Sequence, residues 1–267
     1  MKIAFIGGGN MAAALIGGMK RAGLACSIAV LEIDAARRRQ LEEQHGATAH
    51  ATAGAWLGEC AAVVLAVKPQ QMRDVVDAIR PFLARPLVLS IAAGVRASTL
   101  ARWLDSDIIV RTMPNTPALI GAGITGAAAL AGVSSEQRAL AGQILAAVGQ
   151  VVWFDDESRL DPVTAISGSG PAYVFFFIEA MQQAARDMGL DEAQARTLAV
   201  QTFVGAAQLA AASPEPVSVL RERVTSKGGT TAAALASLDA DDVKRAIVKA
   251  LKAANARAKE LGDELDR

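Results

Sequence analysis

The segment Lys2 to Met11, KIAFIGGGNM, limits the fold more than any other part of the chain. Ile3 to Ile6 is a short apolar run of strand type, broken at once by Gly7, Gly8 and Gly9. The small, apolar run Met11 to Met19 follows and reads as a helix. Gly7 suits a tight turn, Gly9 leaves room for another backbone or a ligand to approach, and Ala12 is small enough for the helix to pack on the strand. The N–H groups at the start of the helix have no partner within the helix and face any anion placed there. A strand, glycine turn and helix in this order form the first turn of a dinucleotide-binding βαβ unit.

The pattern continues through the first half. Ser27 to Ile33, Ala61 to Val67, Leu87 to Ile91 and Ile108 to Arg111 read as strands. Ala35 to Gln44, Asp74 to Leu83 and Ser98 to Leu104 read as the helices between them. Gly126 to Leu130 and Glu136 to Val148 add a further strand and helix. Alternation with short connections predicts a parallel sheet covered by helices on both faces. Beyond about residue 160 the strands stop. Pro171 to Met188, Glu192 to Ala212 and Asp241 to Leu261 read as Ala-rich helices. The expected architecture is an α/β Rossmann-like domain over residues 1–157 and an all-α domain over 158–267, with the polar stretch Asp155 to Asp161 at the boundary. The long apolar helices exceed what a small bundle needs to bury, which points to a dimer through them.

Composition narrows the partners. Lys+Arg and Asp+Glu number 27 each, so no global field draws the chain to nucleic acid or an anionic membrane. Cys26 and Cys60 are too few for a disulfide framework, lack metal-ligand spacing and read as buried small side chains. The N-terminal apolar run is too short for a secretory signal, and no run appears long enough and free enough of charge to span a bilayer. The expected location is the cytoplasm.

In an open α/β sheet, ligands bind outside the carboxyl ends of the strands. Three such ends are distinctive: Ala66-Val67-Lys68-Pro69, Ala92-Ala93-Gly94 and Met113-Pro114-Asn115-Thr116-Pro117. Small residues and prolines there make a narrow, rigid crevice for a flat ring. Lys68 is placed to meet phosphate or ribose, or simply to be solvated, and Asn115 between prolines is equally explained as turn chemistry. The segment Val224 to Thr231, VTSKGGTT, precedes the helical run Ala232 to Leu238. Ser226, Thr230 and Thr231 lie near its start, and Gly228-Gly229 lets backbone N–H groups converge on a small anion such as a carboxylate. An ordinary N-cap with a glycine hinge gives the same pattern. Ile166 to Tyr173, ISGSGPAY, joins a glycine-rich turn to a helix; Tyr173, the one tyrosine, serves as a proton donor or as a core side chain.

What the chain lacks is also informative. His45 and His50 are its only histidines, and both lie in the second βα region. Hydride transfer to or from C–OH usually needs a general acid or base. An imine nitrogen is basic and can arrive already protonated, so reduction of C=N in a carboxylated substrate fits this inventory better than alcohol oxidation.

Taken together, the segments FIGGGNM (Phe5 to Met11), AVKP (Ala66 to Pro69), SIAAG (Ser90 to Gly94), MPNTP (Met113 to Pro117), SGSGPAY (Ser167 to Tyr173) and TSKGGTT (Thr225 to Thr231) closely resemble the pyrroline-5-carboxylate reductase family. They occur in family order across nearly the whole chain. The resemblance implies reduction of pyrroline-5-carboxylate to proline by NADPH or NADH, without a metal. It implies that Ile6, Gly7, Gly8, Gly9, Asn10 and Met11 bind the pyrophosphate. Ala66, Val67, Lys68, Pro69, Ala92, Ala93 and Asn115 would complete the cofactor cleft. Ser226, Gly228, Gly229 and Thr230 would hold the substrate carboxylate, and the Thr231 hydroxyl would bond the ring nitrogen as the catalytic group. It further implies a homodimer with interlocked C-terminal helices, assembled in many members into a decamer.

Two positions depart from the family pattern. Lys227 stands where many members have proline and reads as solvated. Glu32, near the end of the second strand, is suited to accept hydrogen bonds from an adenine ribose diol and to repel a 2′-phosphate. Arg37, Arg38 and Arg39 follow it closely and could still reach such a phosphate, at most two of them on one helix face. The expectation is that NADH serves at least as well as NADPH. A β-hydroxyacid dehydrogenase-like enzyme would need a lysine in the first C-terminal helix, and Pro171 to Met188 contains none. A non-catalytic dinucleotide sensor would have no use for the carboxylate-type loop.

Overall fold

The structure is a computed structural model, and it describes residues 1–266. Two compact units are present, residues 1–169 with the described residues from 254 on, and residues 170–253. The first is built on an eight-stranded sheet of order β3-β2-β1-β4-β5-β6-β7-β8. Its strands are β1 (Lys2–Ile6), β2 (Ser27–Leu31), β3 (Thr48–His50), β4 (Ala62–Leu65), β5 (Leu87–Ser90), β6 (Ile109–Met113), β7 (Gly123–Ala129) and β8 (Gly149–Phe154). The helices of this unit are α1 (Asn10–Arg21), α2 (Ala35–His45), α3 (Met72–Ile79), α4 (Ala97–Leu104), α5 (Ser135–Ala146) and the single turn α6 (Leu160–Val163).

Period-two alternation along each strand sends side chains to two cores, as a sheet covered on both faces requires. Ile3 and Phe5 of β1 join Leu15, Ile16 and Met19 of α1 and Ile144 and Leu145 of α5 on one face. Ala4 and Ile6 join Met72, Val76 and Ile79 of α3 and Leu100 and Leu104 of α4 on the other.

The sheet is parallel, as expected, except at one step, where β6 and β7 pair antiparallel. Parallel neighbours need a crossover of about a dozen residues or more. Between β6 and β7 lies only the MPNTP segment and a 3-10 turn over Thr116–Ile120, so the chain doubles back. α5 then supplies a crossover, and β8 pairs parallel with β7. Two strands lie outside the expected set: β3, a three-residue edge strand, and β8, whose Val151 to Phe154 adjoins the polar boundary stretch.

The second unit holds α7 (Gly170–Asp187), α8 (Glu192–Ala212), α9 (Val217–Arg223), α10 (Thr230–Ala240) and the first half of α11 (Val243–Leu265). α8 opens with a reciprocal capping box between Asp191 and Gln194. The last turns of α11 belong to the first unit. Helical conformation runs on from Glu157 to Asp187, 31 residues long and by length and composition apolar enough to cross a bilayer. This corrects the expectation that no such run exists. The sequence pattern starts the helix at Pro171, whereas α6 and a π-helical turn over Thr164–Gly168 extend it backwards.

Leu15 lies fully buried between α1 and the sheet. Leu15→Ala is expected to cost about 2–5 kcal/mol of stability, read from urea unfolding followed by circular dichroism.

Candidate functional site

β1 ends between β2 and β4, and the three strand ends build a cavity there. Gly7 N–H donates to Leu31 O at 2.8 Å and Ala66 N–H to Ile6 O at 2.8 Å, so the turn is held by both neighbours. Gly7 has φ +95°, and a Cβ on it would stand 2.8 Å from Ala66 O. Only glycine meets both conditions. A Cβ on Gly9 would meet nothing within 4 Å, so open space lies in front of it. Gly9 is the N-cap of α1, which has no side-chain cap and no acidic residue in its first turn. The first N–H groups of α1 therefore stay available to an anion.

The cavity has a volume of about 420 Å³ and includes Ile6, Gly7, Gly8, Gly9, Glu32, Ala66, Val67 and Lys68 in its wall. Ile33, Gln71, Asp74 and Val75 also line it, four positions to which the sequence assigns no role in the site. Ile33 is 83% exposed beside Glu32, an apolar surface at the mouth.

Glu32 is tightly held. Its Oε2 accepts from Gly8 N–H at 2.8 Å and its Oε1 from Asp34 N–H at 2.9 Å, so the carboxylate ties the end of β2 to the glycine turn. Asp34 in turn caps α2 by accepting from Arg37 N–H at 2.9 Å. Arg37 reaches back to Gly8 O at 2.7 Å through Nε and to Asn10 Oδ1 at 2.6 Å through Nη2. Arg38 Nη1 donates to Glu32 O and Ile33 O. Two of the three arginines thus brace this rim, while Arg39 is exposed.

Other candidates lie elsewhere. Asn10, Met11, Pro69, Ala92, Ala93 and Asn115 are outside the cavity wall. Ala92 and Ala93 follow β5, whose Ser90 pairs with Leu65 immediately before Ala66. Asn115 is buried, donating through Nδ2 to Ser167 O at 3.2 Å and accepting from Ile124 N–H at 3.0 Å, so its amide staples three segments. The histidines do not line the cavity. Burial first, then Lys20 and Arg21, hold His45 below its ordinary pKa; burial and Lys2 do the same to His50, which stacks on Trp56 at 4.1 Å. Burial raises both thiols, Cys26 and Cys60, and neither is in a disulfide.

The second unit carries the other motif. Gly228 has φ +72°, and Gly229 N–H closes a turn onto Ser226 O at 3.1 Å. Gly229 is the N-cap of α10 and again leaves that helix without a side-chain cap. Thr230 and Thr231 are its first two residues.

Residues 2–94 match the family model described as NADP oxidoreductase, coenzyme F420-dependent, and residues 157–261 match the one described as pyrroline-5-carboxylate reductase dimerisation. Over 99% of its length the chain is 43% identical to the pyrroline-5-carboxylate reductase of Pseudomonas aeruginosa, covering 98% of that protein. The chain belongs to the pyrroline-5-carboxylate reductase family. The reductase of Coxiella burnetii superposes with a TM-score of 0.91 at 39% identity, covering 97% of both chains. That of Plasmodium falciparum, solved with NADP bound, superposes with a TM-score of 0.86 at 30% identity, covering 98% of both.

The two glycines separate fold from function. Gly7→Ala is expected to lose about 1–2 kcal/mol of stability from the left-handed backbone alone. Gly9→Ala, extended and unobstructed, is expected to stay within about 0.5 kcal/mol of wild type in the same urea titration.

Proposed function

We propose that this protein reduces the C=N bond of pyrroline-5-carboxylate to L-proline, using NADPH or NADH, as a last step in proline synthesis. The observation that carries this reading is the 43% identity to a reductase of that name along 99% of the chain, which takes in both the glycine turn and the TSKGGTT loop. The residues fit a dinucleotide. Gly9 leaves open the space that a pyrophosphate would fill, beside the uncapped start of α1. When bound, the nicotinamide supplies a hydride from its C4 to the imine carbon of the substrate.

Each part of the chain has its task in this reading. The backbone of Ile6 to Met11 holds the pyrophosphate, and Glu32 accepts from the adenine ribose. Ala66 to Pro69 and Ala92-Ala93 line the cleft for the rest of the cofactor, with Asn115 supporting it. In the second unit Ser226, Gly228, Gly229 and Thr230 hold the substrate carboxylate at the uncapped start of α10. The Thr231 hydroxyl orients the ring nitrogen, which enters protonated, so no histidine has to donate. Placing two reactants in register is worth roughly 7–11 kcal/mol of barrier in favourable cases, and it is the main service this protein provides.

The domain division follows from these roles: residues 1–157 serve as the dinucleotide-binding domain, and 158–267 as the substrate-binding and dimerisation domain. Phe175 and Phe176 on α7 and Leu198 and Leu209 on α8 are exposed in the single chain, which supports a homodimer through the C-terminal helices rather than insertion of Glu157–Asp187 in a membrane. Assembly of dimers into a decamer and a cytoplasmic location complete the proposal, with nucleic acid playing no part.

Oxidation of NADH and NADPH with synthetic pyrroline-5-carboxylate tests the activity directly; turnover with neither, by folded protein, overturns it. The fixed carboxylate of Glu32 favours NADH, used at least as well as NADPH. Glu32→Ser should then move the kcat/KM ratio toward NADPH by about tenfold. A strong wild-type preference for NADPH would sink this argument. Thr231→Ala is expected to lower kcat/KM at least about tenfold, roughly 1.4 kcal/mol, and a fully active variant would remove the hydroxyl from the mechanism.

A further inference from the structure

α4 starts without a cap of its own. Its N-cap residue is Arg96, whose side chain makes no capping bond. The N–H of Ala97, one of the orphan donors of a helix start, is met by Glu157 Oε1 at 2.7 Å, from sixty residues along the chain. The same oxygen accepts from Arg111 Nη1 at 2.8 Å. A carboxylate at that point also suits the positive end of the α4 dipole.

Arg111 sits on β6 and is only 5% exposed, so its charge needs partners held in place. Glu157 is the nearer one; Asp161 Oδ1 stands 3.6 Å from Nη2. One carboxylate oxygen thus joins two segments. One is the loop from β5 into α4, which carries Ala92 and Ala93. The other is the end of β6, which runs straight into MPNTP. The two strands are also stitched directly, by Thr112 Oγ1 donating to Ser90 O at 2.9 Å. On the outer side of the same loop, Gly94 has φ +80°, and a Cβ there would lie 3.0 Å from Leu265 Cδ1 at the end of α11. Arg96 pairs with Asp263 of that helix. The loop is therefore fixed at Ser90, beneath Leu265 and at Ala97, and the last of these points depends on Glu157.

We propose that Glu157 is a positioning residue for the nicotinamide half of the cofactor. Through the Ala97 N–H and Arg111 it sets where Ala92 and Ala93 stand. This rests on the reading of those alanines as a wall of the cleft. It also predicts an asymmetry that a purely structural ion pair would not produce. The adenosine half is held by Gly7 to Gly9 and Glu32, none of which touches Glu157. Loosening the β5–α4 loop should weaken what the nicotinamide half adds and leave the rest unchanged.

The test is to titrate full-length wild type, Glu157→Ala and Glu157→Asp with NADH and, separately, with ADP-ribose, which lacks the nicotinamide. Glu157→Asp keeps the charge beside Arg111 but is one methylene too short to reach both donors. In both variants the Kd for NADH is expected to rise at least about fivefold while that for ADP-ribose stays within about twofold. Equal changes for the two ligands, or no change in either, would overturn the proposal. If Glu157→Ala does not fold, Glu157→Asp decides: a wild-type ratio of the two Kd values in that variant is an equally clear refutation. The ratio is read without substrate. A wild-type protein that fails to reduce pyrroline-5-carboxylate therefore refutes the activity, and the binding ratio still judges Glu157.

Discussion

The first unit depends on how β1 ends. It lies between β2 and β4, fully buried from Ile3 to Phe5, and its last carbonyls and the first N–H of the turn bond to both neighbours. Gly7 makes the only backbone shape that leaves those bonds intact while turning the chain into α1. From that turn follow the position of α1 on the sheet, the open space before Gly9, and the place where Glu32 can close on Gly8 N–H. A larger residue at Gly7 would have to push back the end of β4, and with it the wall of the cavity.

Much of this was legible in the sequence because the signals were local. Strand periodicity, three consecutive glycines and a helix of small residues lie within one short stretch, and physics leaves few ways to combine them. α8 was read with its true ends because Asp191 and Gln194 form a capping box and Ser213 stops the helix. The antiparallel step at β7 was missed, although its cause, a link too short for a crossover, was countable. β3 carried too few residues to show any period. The helical run from Glu157 to Asp187 was hidden because Ser167 to Gly170 looks like a loop, whereas Thr164–Gly168 winds as a π-helical turn and only Ser169 separates it from α7.

The site was legible as a list of residues and illegible as a set of bonds. That Glu32 would engage Gly8 depended on the pitch of two strands, and that Asn115 would bond Ser167 O depended on a contact 52 residues away. Arg111 read as the end of a strand and Glu157 as part of a polar boundary, and nothing in their types or spacing paired them across 46 residues. Side chains that connect distant segments leave no period in a sequence. They can be found only by asking where each buried charge finds its partner.

The return of α11 to the first unit has a consequence for how the chain is made. Every strand of the sheet has been synthesised by Phe154, yet Leu265 is the residue that lies over Gly94, and Asp266 the one that accepts from Thr99 and Arg102 on α4. Those contacts cannot form while the last turns are still inside the ribosome. The face of α4 stays uncovered throughout synthesis of residues 170–253, and the unit that starts first is completed last.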